Sequence, residues 1–201
     1  ALVVVLRTIY ADYQYMAAQE RVRMEKLDEA LAYGERAKMA VPMNPDYYAF
    51  AASLHVRRGE LNQALEEYTL ALARKQDFPA YLTQRGRVYK MLKDYAHAYK
   101  DLTQALLLDR FGAYEQEHYT DLGVICASLG DDKRARMSFY DAVLLDPHIV
   151  RKDWPGIGYR DAIAARLEEN FSKLPYRNDQ RSRRKLRDIQ AARKALGELF
   201  E

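Results

Sequence analysis

The chain has one cysteine, one tryptophan, six prolines and nine glycines in 201 residues. No stretch approaches the roughly 20 consecutive apolar residues that a membrane-spanning helix needs. A single thiol, Cys126, rules out an internal disulfide and carries no signal for a compartment. The prolines and glycines sit mostly at turn positions, so no low-complexity linker divides the chain. Charge of one sign is also scarce in sum: 32 basic against 29 acidic residues leave +3. The histidines, His55, His97, His118 and His148, are scattered, without the His-x3-His or Cys/His spacing of a zinc site. Gly156-Ile157-Gly158 lacks the third glycine and the preceding strand of a dinucleotide-binding loop. With no nucleophile beside a base and no paired carboxylates in one pocket, the chain reads as a non-enzyme that needs no cofactor.

What is present is a period. Residues 45–78 written above 79–112 place Tyr48, Ala51, Ala52, His55, Gly59, Leu61, Ala64, Tyr68 and Ala71 over Leu82, Arg85, Gly86, Tyr89, Lys93, Tyr95, Ala98, Leu102 and Ala105. Each unit has the logic of a helical hairpin: small residues where two helices approach closely, a turn at Gly59, and Ala71 or Ala105 where the next hairpin docks. Tyr81, Arg85, Val88 and Leu92 follow the three- and four-residue steps of a helix. One period earlier, residues 11–44 carry Ala17, Ala18, Leu27, Ala30, Ala37 and Pro42 in the same slots. After a three-residue slip at Ala113 to Glu115, residues 116–149 carry Tyr119, Leu122, Gly123, Gly130, Ala135, Phe139, Ala142 and Pro147.

This period and slot pattern resembles the tetratricopeptide repeat, a 34-residue helix-turn-helix unit. The resemblance implies an all-α, right-handed α-solenoid of four hairpins (11–44, 45–78, 79–112, 116–149). Departures from the pattern are His55 and Cys126 in a Tyr slot, Arg85 in a Leu slot, and Asp132 and Gly34 where an aromatic is usual. His55 and Cys126 are expected to fill the core between helices. Asp131-Asp132, after Gly130, suits a helix N-terminus.

The array is interrupted after residue 149. Trp154-Pro155-Gly156-Ile157-Gly158 has the chemistry of a loop, expected over 150–158, with Trp154 plugging the open end of the last hairpin. Residues 159–201 are expected to form two amphipathic capping helices. The first, Tyr159 to Leu174, has Ile163, Leu167, Phe171 and Leu174 on one face and ends at Pro175. The second, Asn178 to Phe200, has Leu186, Ile189, Leu196 and Phe200 on one side and Arg181, Arg183, Arg184, Lys185, Arg187 and Lys194 elsewhere. Covering the last repeat is the first role for such a helix. Anionic lipid or a partner helix are alternatives. No aromatic residue lies among its basic ones, so nucleic acid is not an expected partner.

Residues 1–10 begin ALVVVL and then Arg7. Two readings stand: a lead-in to the first helix that packs on the first repeat, or the end of a membrane tether with Arg7 at the surface. An apolar stub, then Ala11-Asp12-Tyr13 and at once a repeat array, also resembles the C-terminal part of O-antigen ligase and polymerase-type membrane proteins. That likeness spans about the first 60 residues and carries over no catalytic residue. It implies, as the alternative to a scaffold, a soluble periplasmic accessory domain of a polytopic membrane protein that transfers glycans elsewhere in its chain, and leaves open whether the chain works outside or inside the cytoplasm.

In tetratricopeptide-repeat proteins the first helices of successive hairpins line a groove. The resemblance assigns to it Tyr15, Gln19 and Arg23; Ala49, Ser53 and Arg57; Thr83, Arg87 and Met91, with Lys90 beside them; and Thr120, Val124 and Ser128. Small and hydroxylic residues leave room in the middle, and Arg23, Arg57, Arg87 and Lys90 add positive charge at one end. Arginine can grip a carboxylate with two hydrogen bonds, which points to a protein or peptide partner with acidic side chains or a free C-terminus. Some members of the family clamp the C-terminal carboxylate of heat-shock chaperones through Lys and Asn in the first repeat. Those slots here hold Tyr15 and Gln19, so that clamp is not expected.

Overall fold

A computed structural model of the chain describes residues 2–109, 115–150, 153–172 and 180–197. Among the described residues there are ten α-helices, two short 3-10 turns and no strand. They fall into two compact units, residues 1–108 and 109–201.

The first unit holds three hairpins: α1 (Leu2–Arg23) with α2 (Leu27–Ala40), α3 (Pro45–Arg57) with α4 (Leu61–Arg74), and α5 (Pro79–Met91) with α6 (Tyr95–Leu108). Proline opens α3 and α5, where its missing amide costs nothing. The turn inside each hairpin uses a left-handed residue at the same place in the period: Glu25 (φ 59°), Gly59 (φ 77°) and Lys93 (φ 62°). Within each hairpin a small residue is buried on both helices, Ala18 and Ala30, Ala52 and Ala64, then Gly86 and Ala98. A Cβ on Gly86 would stand 2.9 Å from Leu102 Cγ, so the α5–α6 crossing has no room for a methyl group unless that leucine moves.

Successive hairpins join through a second repeated device. The Tyr47 hydroxyl donates to Asp12 at 2.8 Å, and one period on the Tyr81 hydroxyl donates to Asp46. Tyr48, Ala71, Leu72, Tyr81, Leu82 and Ala105 form one buried cluster across α3 to α6. A part-buried ion pair adds to the first junction: Lys38 on α2 donates to Glu67 on α4 at 2.6 Å and meets Glu35 at 2.8 Å.

The second unit holds α7 (Glu115–Ser128) and α8 (Asp132–Leu145), whose turn is the left-handed Gly130 (φ 75°). Asp131 caps α8 by accepting from the Arg134 amide. Second helices start at residues 27, 61, 95 and 132, so the last step is longer than the others by three. A 3-10 turn (Pro147–Ile149), a loop and another 3-10 turn (Ile157–Tyr159) lead to α9 (Arg160–Ser172) and α10 (Gln180–Gly197). Trp154 is 4 % exposed and meets Phe139 edge to face at 5.4 Å. Ile163, Leu167, Ile189 and Leu196 are buried. Leu174, Pro175 and Phe200, the slip at 113–114, and the side chains of Phe171, Arg181, Arg183, Arg184, Lys185 and Leu186 lie outside the described residues.

Residues 2–10 continue α1 without a break, and each is exposed. The first of the two closing helices begins at Arg160, directly after the tighter turn of residues 157–159.

Candidate functional site

Within the first unit, α1, α3 and α5 lie side by side, held by the Tyr47–Asp12 and Tyr81–Asp46 bonds and by Tyr15, whose ring meets those of Tyr47 (5.4 Å) and Phe50 (5.0 Å). Their second helices cover one side of this row, and the residues turned away from that side are those offered to a ligand.

The expected groove positions separate into rows by place in the period. Tyr15, Ala49 and Thr83 form the row nearest the helix contacts. Tyr15 and Ala49 are half-buried and packed, and Thr83 is buried with its hydroxyl donating to the Pro79 carbonyl at 2.9 Å. That row contributes shape more than hydrogen-bonding capacity. Gln19, Ser53 and Arg87 form the next row, with Gln19 exposed and Ser53 and Arg87 half-buried. The Ser53 hydroxyl turns back to the Phe50 carbonyl at 2.7 Å. Arg23, Arg57 and Met91 stand at the C-terminal ends of the three helices, reaching toward solvent. Arg23 pairs loosely with Glu20 at 3.2 Å, whereas Arg57 has no partner among the described residues. Arg87 and Lys90 already engage other groups, so a ligand would have to compete for them. Thr120 and Val124 lie half-buried on α7, in the second unit.

One residue beyond the packed row stand Met16 and Gln84, exposed, and Phe50, half-buried. Phe50 packs back on α2 and fills the space left by Gly34, the glycine in an aromatic slot, with its ring 3.5 Å from where a Cβ would stand.

The off-pattern residues resolve into local chemistry. Arg85, in a leucine slot, forms a two-pronged pair with Asp101 at 2.7 and 3.0 Å, with the carboxylate only 3 % exposed. Burial alone would lower the Arg85 pKa, but the Asp101 carboxylate raises it above its ordinary value. The same balance acts on Lys38: burial opposes its charge, and the bonds to Glu35 and Glu67 override it and raise its pKa. His55 does more than fill the core, since its Nδ1 lies 2.6 Å from Glu60 and ties the hairpin turn together. Cys126 is buried, and burial pushes its thiol up, with Asp131 adding to the effect. Asp132 accepts from the Tyr159 hydroxyl at 2.8 Å, replacing an aromatic contact with a polar one. Among the described residues no group of His, Cys, Asp and Glu is placed to hold a metal ion.

Residues 79–111 match the family model for the tetratricopeptide repeat. No curated protein matches the chain in sequence. Solved structures share its fold at low identity. A form of MamA from Desulfovibrio magneticus RS-1 (residues 41 to the end) is 15 % identical, with TM-score 0.69 and 94 % of each chain covered. YrrB, a protein of the same repeat described as having an unusual peptide-binding site, is 19 % identical, with TM-score 0.61, 92 % of this chain and 89 % of that one. The first repeat domain of Spaghetti (RPAP3), bound to the HSP90 peptide SRMEEVD, is 23 % identical, with TM-score 0.58, 61 % of this chain and 95 % of that one.

Proposed function

We propose that this tetratricopeptide-repeat protein is a non-enzymatic scaffold whose first unit holds an extended peptide or protein segment along the open face of α1, α3 and α5. The observation that carries the proposal is the periodic placement of Gln19, Ser53 and Arg87 beside Arg23 and Arg57, on helices fixed to one another by part-buried tyrosine–aspartate bonds. A rigid row of equivalent positions suits a ligand that is itself extended, and pre-organisation lowers the ordering cost of binding. Peptide binding by two proteins of similar fold supports the class of ligand.

The finer part of the proposal is that the ligand is acidic. Arg57 supports it best, being without a partner among the described residues, and Arg23 is tied only to its neighbour Glu20. Arg87 and Lys90 would join by exchanging their present partners for the ligand's carboxylates. Clamping of a chaperone tail is not part of the proposal, because Tyr15 is committed to ring contacts and Gln19 carries no charge.

The test is capture from a library of immobilised peptides of graded charge. Wild-type protein is expected to retain acidic peptides over basic ones, with retention falling as salt rises. Arg57→Glu combined with Arg87→Glu and Lys90→Glu should weaken that retention about tenfold or more, since reversed charges repel where they had attracted. The helical circular dichroism should be unchanged. Equal retention of acidic and basic peptides, or a triple variant that binds as well as wild type, would place the binding surface elsewhere.

A further inference from the structure

From Leu2 to Tyr10 every residue of α1 is exposed, before Ala11 begins the packed part of the helix. The side chains there are not those of a solvated helix. Leu2, Val3, Val4, Val5, Leu6 and Ile9 are between 52 and 72 % exposed. At 100° per residue these positions point to all sides of the helix, not to one stripe. A groove or a second helix covers one face and leaves the other apolar faces in water. Only a medium that is apolar on every side satisfies them together.

The polar groups around this segment fit such a medium and identify its border. The Thr8 hydroxyl is not left seeking water, since it bonds back to the Val4 carbonyl at 3.0 Å. Arg7 on α1 and Arg36 on α2 line a shallow cleft of about 470 Å³ with Val3, Leu6, Tyr10 and Met39. Among the described residues neither arginine is paired with a carboxylate. The next acid along α1, Asp12, is occupied by the Tyr47 hydroxyl. Tyr10 and Tyr13 are 49 and 66 % exposed and follow in the next turns, where an amphipathic ring suits the level of the headgroups.

We infer that the amino-terminal end of α1, with Arg7 and Arg36 at its border, is a docking element for an anionic lipid bilayer: the aliphatic residues enter the acyl region and the two guanidinium groups meet lipid phosphates. No described helix is long and apolar enough to cross a membrane. The inference is independent of the groove on α1, α3 and α5, since it uses none of the groove residues.

The experiment is sedimentation of the full chain with vesicles of phosphatidylcholine mixed with phosphatidylglycerol, and with vesicles of phosphatidylcholine alone. Wild type is expected to bind both and the anionic ones more tightly. Val3→Glu with Leu6→Glu should lower partitioning to either vesicle about tenfold or more. Arg7→Gln and Arg36→Gln should each lower binding to the anionic vesicles about fivefold, with little effect on the neutral ones. None of the four side chains is buried, so far-ultraviolet circular dichroism and the melting curve should match wild type and show that lost binding is not lost folding. No sedimentation of wild type with either vesicle would overturn the inference, as would unchanged binding by Val3→Glu with Leu6→Glu. It would also be overturned by a self-associated species in ultracentrifugation without lipid that disappears in the same variant, for then a second copy covers this surface.

Discussion

The two units build hairpins in the same way and finish them differently. In residues 2–108 the same solutions recur at each period: an alanine or glycine at each helix crossing, a left-handed residue at each turn, and a tyrosine hydroxyl on an aspartate at each junction. In the second unit the α7–α8 hairpin is followed by chain with no period, and its core is closed by large aromatic groups. Phe139 on α8 meets Trp154 at 5.4 Å and Tyr159 at 5.5 Å. The glycines around them are obligatory: a Cβ on Gly123 would come 2.6 Å from the Phe139 ring, and one on Gly156 would come 2.4 Å from the Trp154 ring. A repeat can rely on its neighbour to bury its exposed side, and the second unit instead adds a bulky side chain brought back by a loop to the buried apolar residues of α9 and α10. Stability in the first unit is therefore spread over equivalent small contacts, and in the second it is concentrated.

That contrast breaks most clearly at Trp154. Truncation to alanine removes a nearly fully buried indole from between Phe139 and Gly156, a change that typically costs about 3 to 5 kcal/mol. The indole Nε1 has no hydrogen-bond partner among the described residues, and losing that unsatisfied group offsets part of the cost, which places the expected loss near 3 kcal/mol. In urea melts followed by circular dichroism, Trp154→Ala should lower the midpoint further than a substitution at any helix crossing or turn of the first unit. A midpoint within error of wild type would mean that the aromatic closure is dispensable and that the second unit shares the distributed stability of the first.

Gly86→Leu probes the first unit at the helix crossing. Even a Cβ meets Leu102 at 2.9 Å and Asp101 Cβ at 3.3 Å, so a leucine must push α5 and α6 apart, at about 1 to 3 kcal/mol. Asp101 is also the partner of Arg85, so the shift strains a buried pair as well. An unaltered melt would mean that α5 and α6 do not cross at Gly86. This crossing was legible in the sequence, because a small residue recurring at one slot of a fixed period marks where two helices come within contact distance. So were the hairpins, their turns, and the buried Trp154. The polar couplings were not. Arg85–Asp101 and Lys38–Glu67 join residues 16 and 29 apart, and nothing in the period marks which charged residue on one helix faces which on the next. The tyrosine–aspartate junctions do repeat, but the aspartates occupy a slot that the repeat pattern leaves unspecified. The groove was legible as a set of helices and less so as a set of side chains. A one-residue change of position decides whether a side chain packs, as Thr83 does, or faces out, as Gln84 does.

The smallest predicted effect runs in the opposite direction and tests whether the repeats are equivalent in conformation and not only in sequence. The turn residue of each hairpin is left-handed: Glu25, Gly59, Lys93 and Gly130. For glycine that conformation is free of steric cost, while for a residue with a Cβ it costs about 1 to 2 kcal/mol. Glycine in turn loses more chain entropy on folding, about 0.5 to 1 kcal/mol, so the two terms nearly oppose. Lys93 is exposed, and its side chain makes no bond among the described residues, so replacing it removes only the strain. Lys93→Gly should accordingly stabilise the protein by about 0.5 to 1 kcal/mol, a rise in melting temperature of roughly 1 to 4 °C. Gly59→Lys, the reverse exchange one period earlier, should lower it by a similar amount. If both substitutions destabilise, Lys93 must be held by a favourable contact that Gly59 lacks, and the hairpin turns are not interchangeable despite their common backbone.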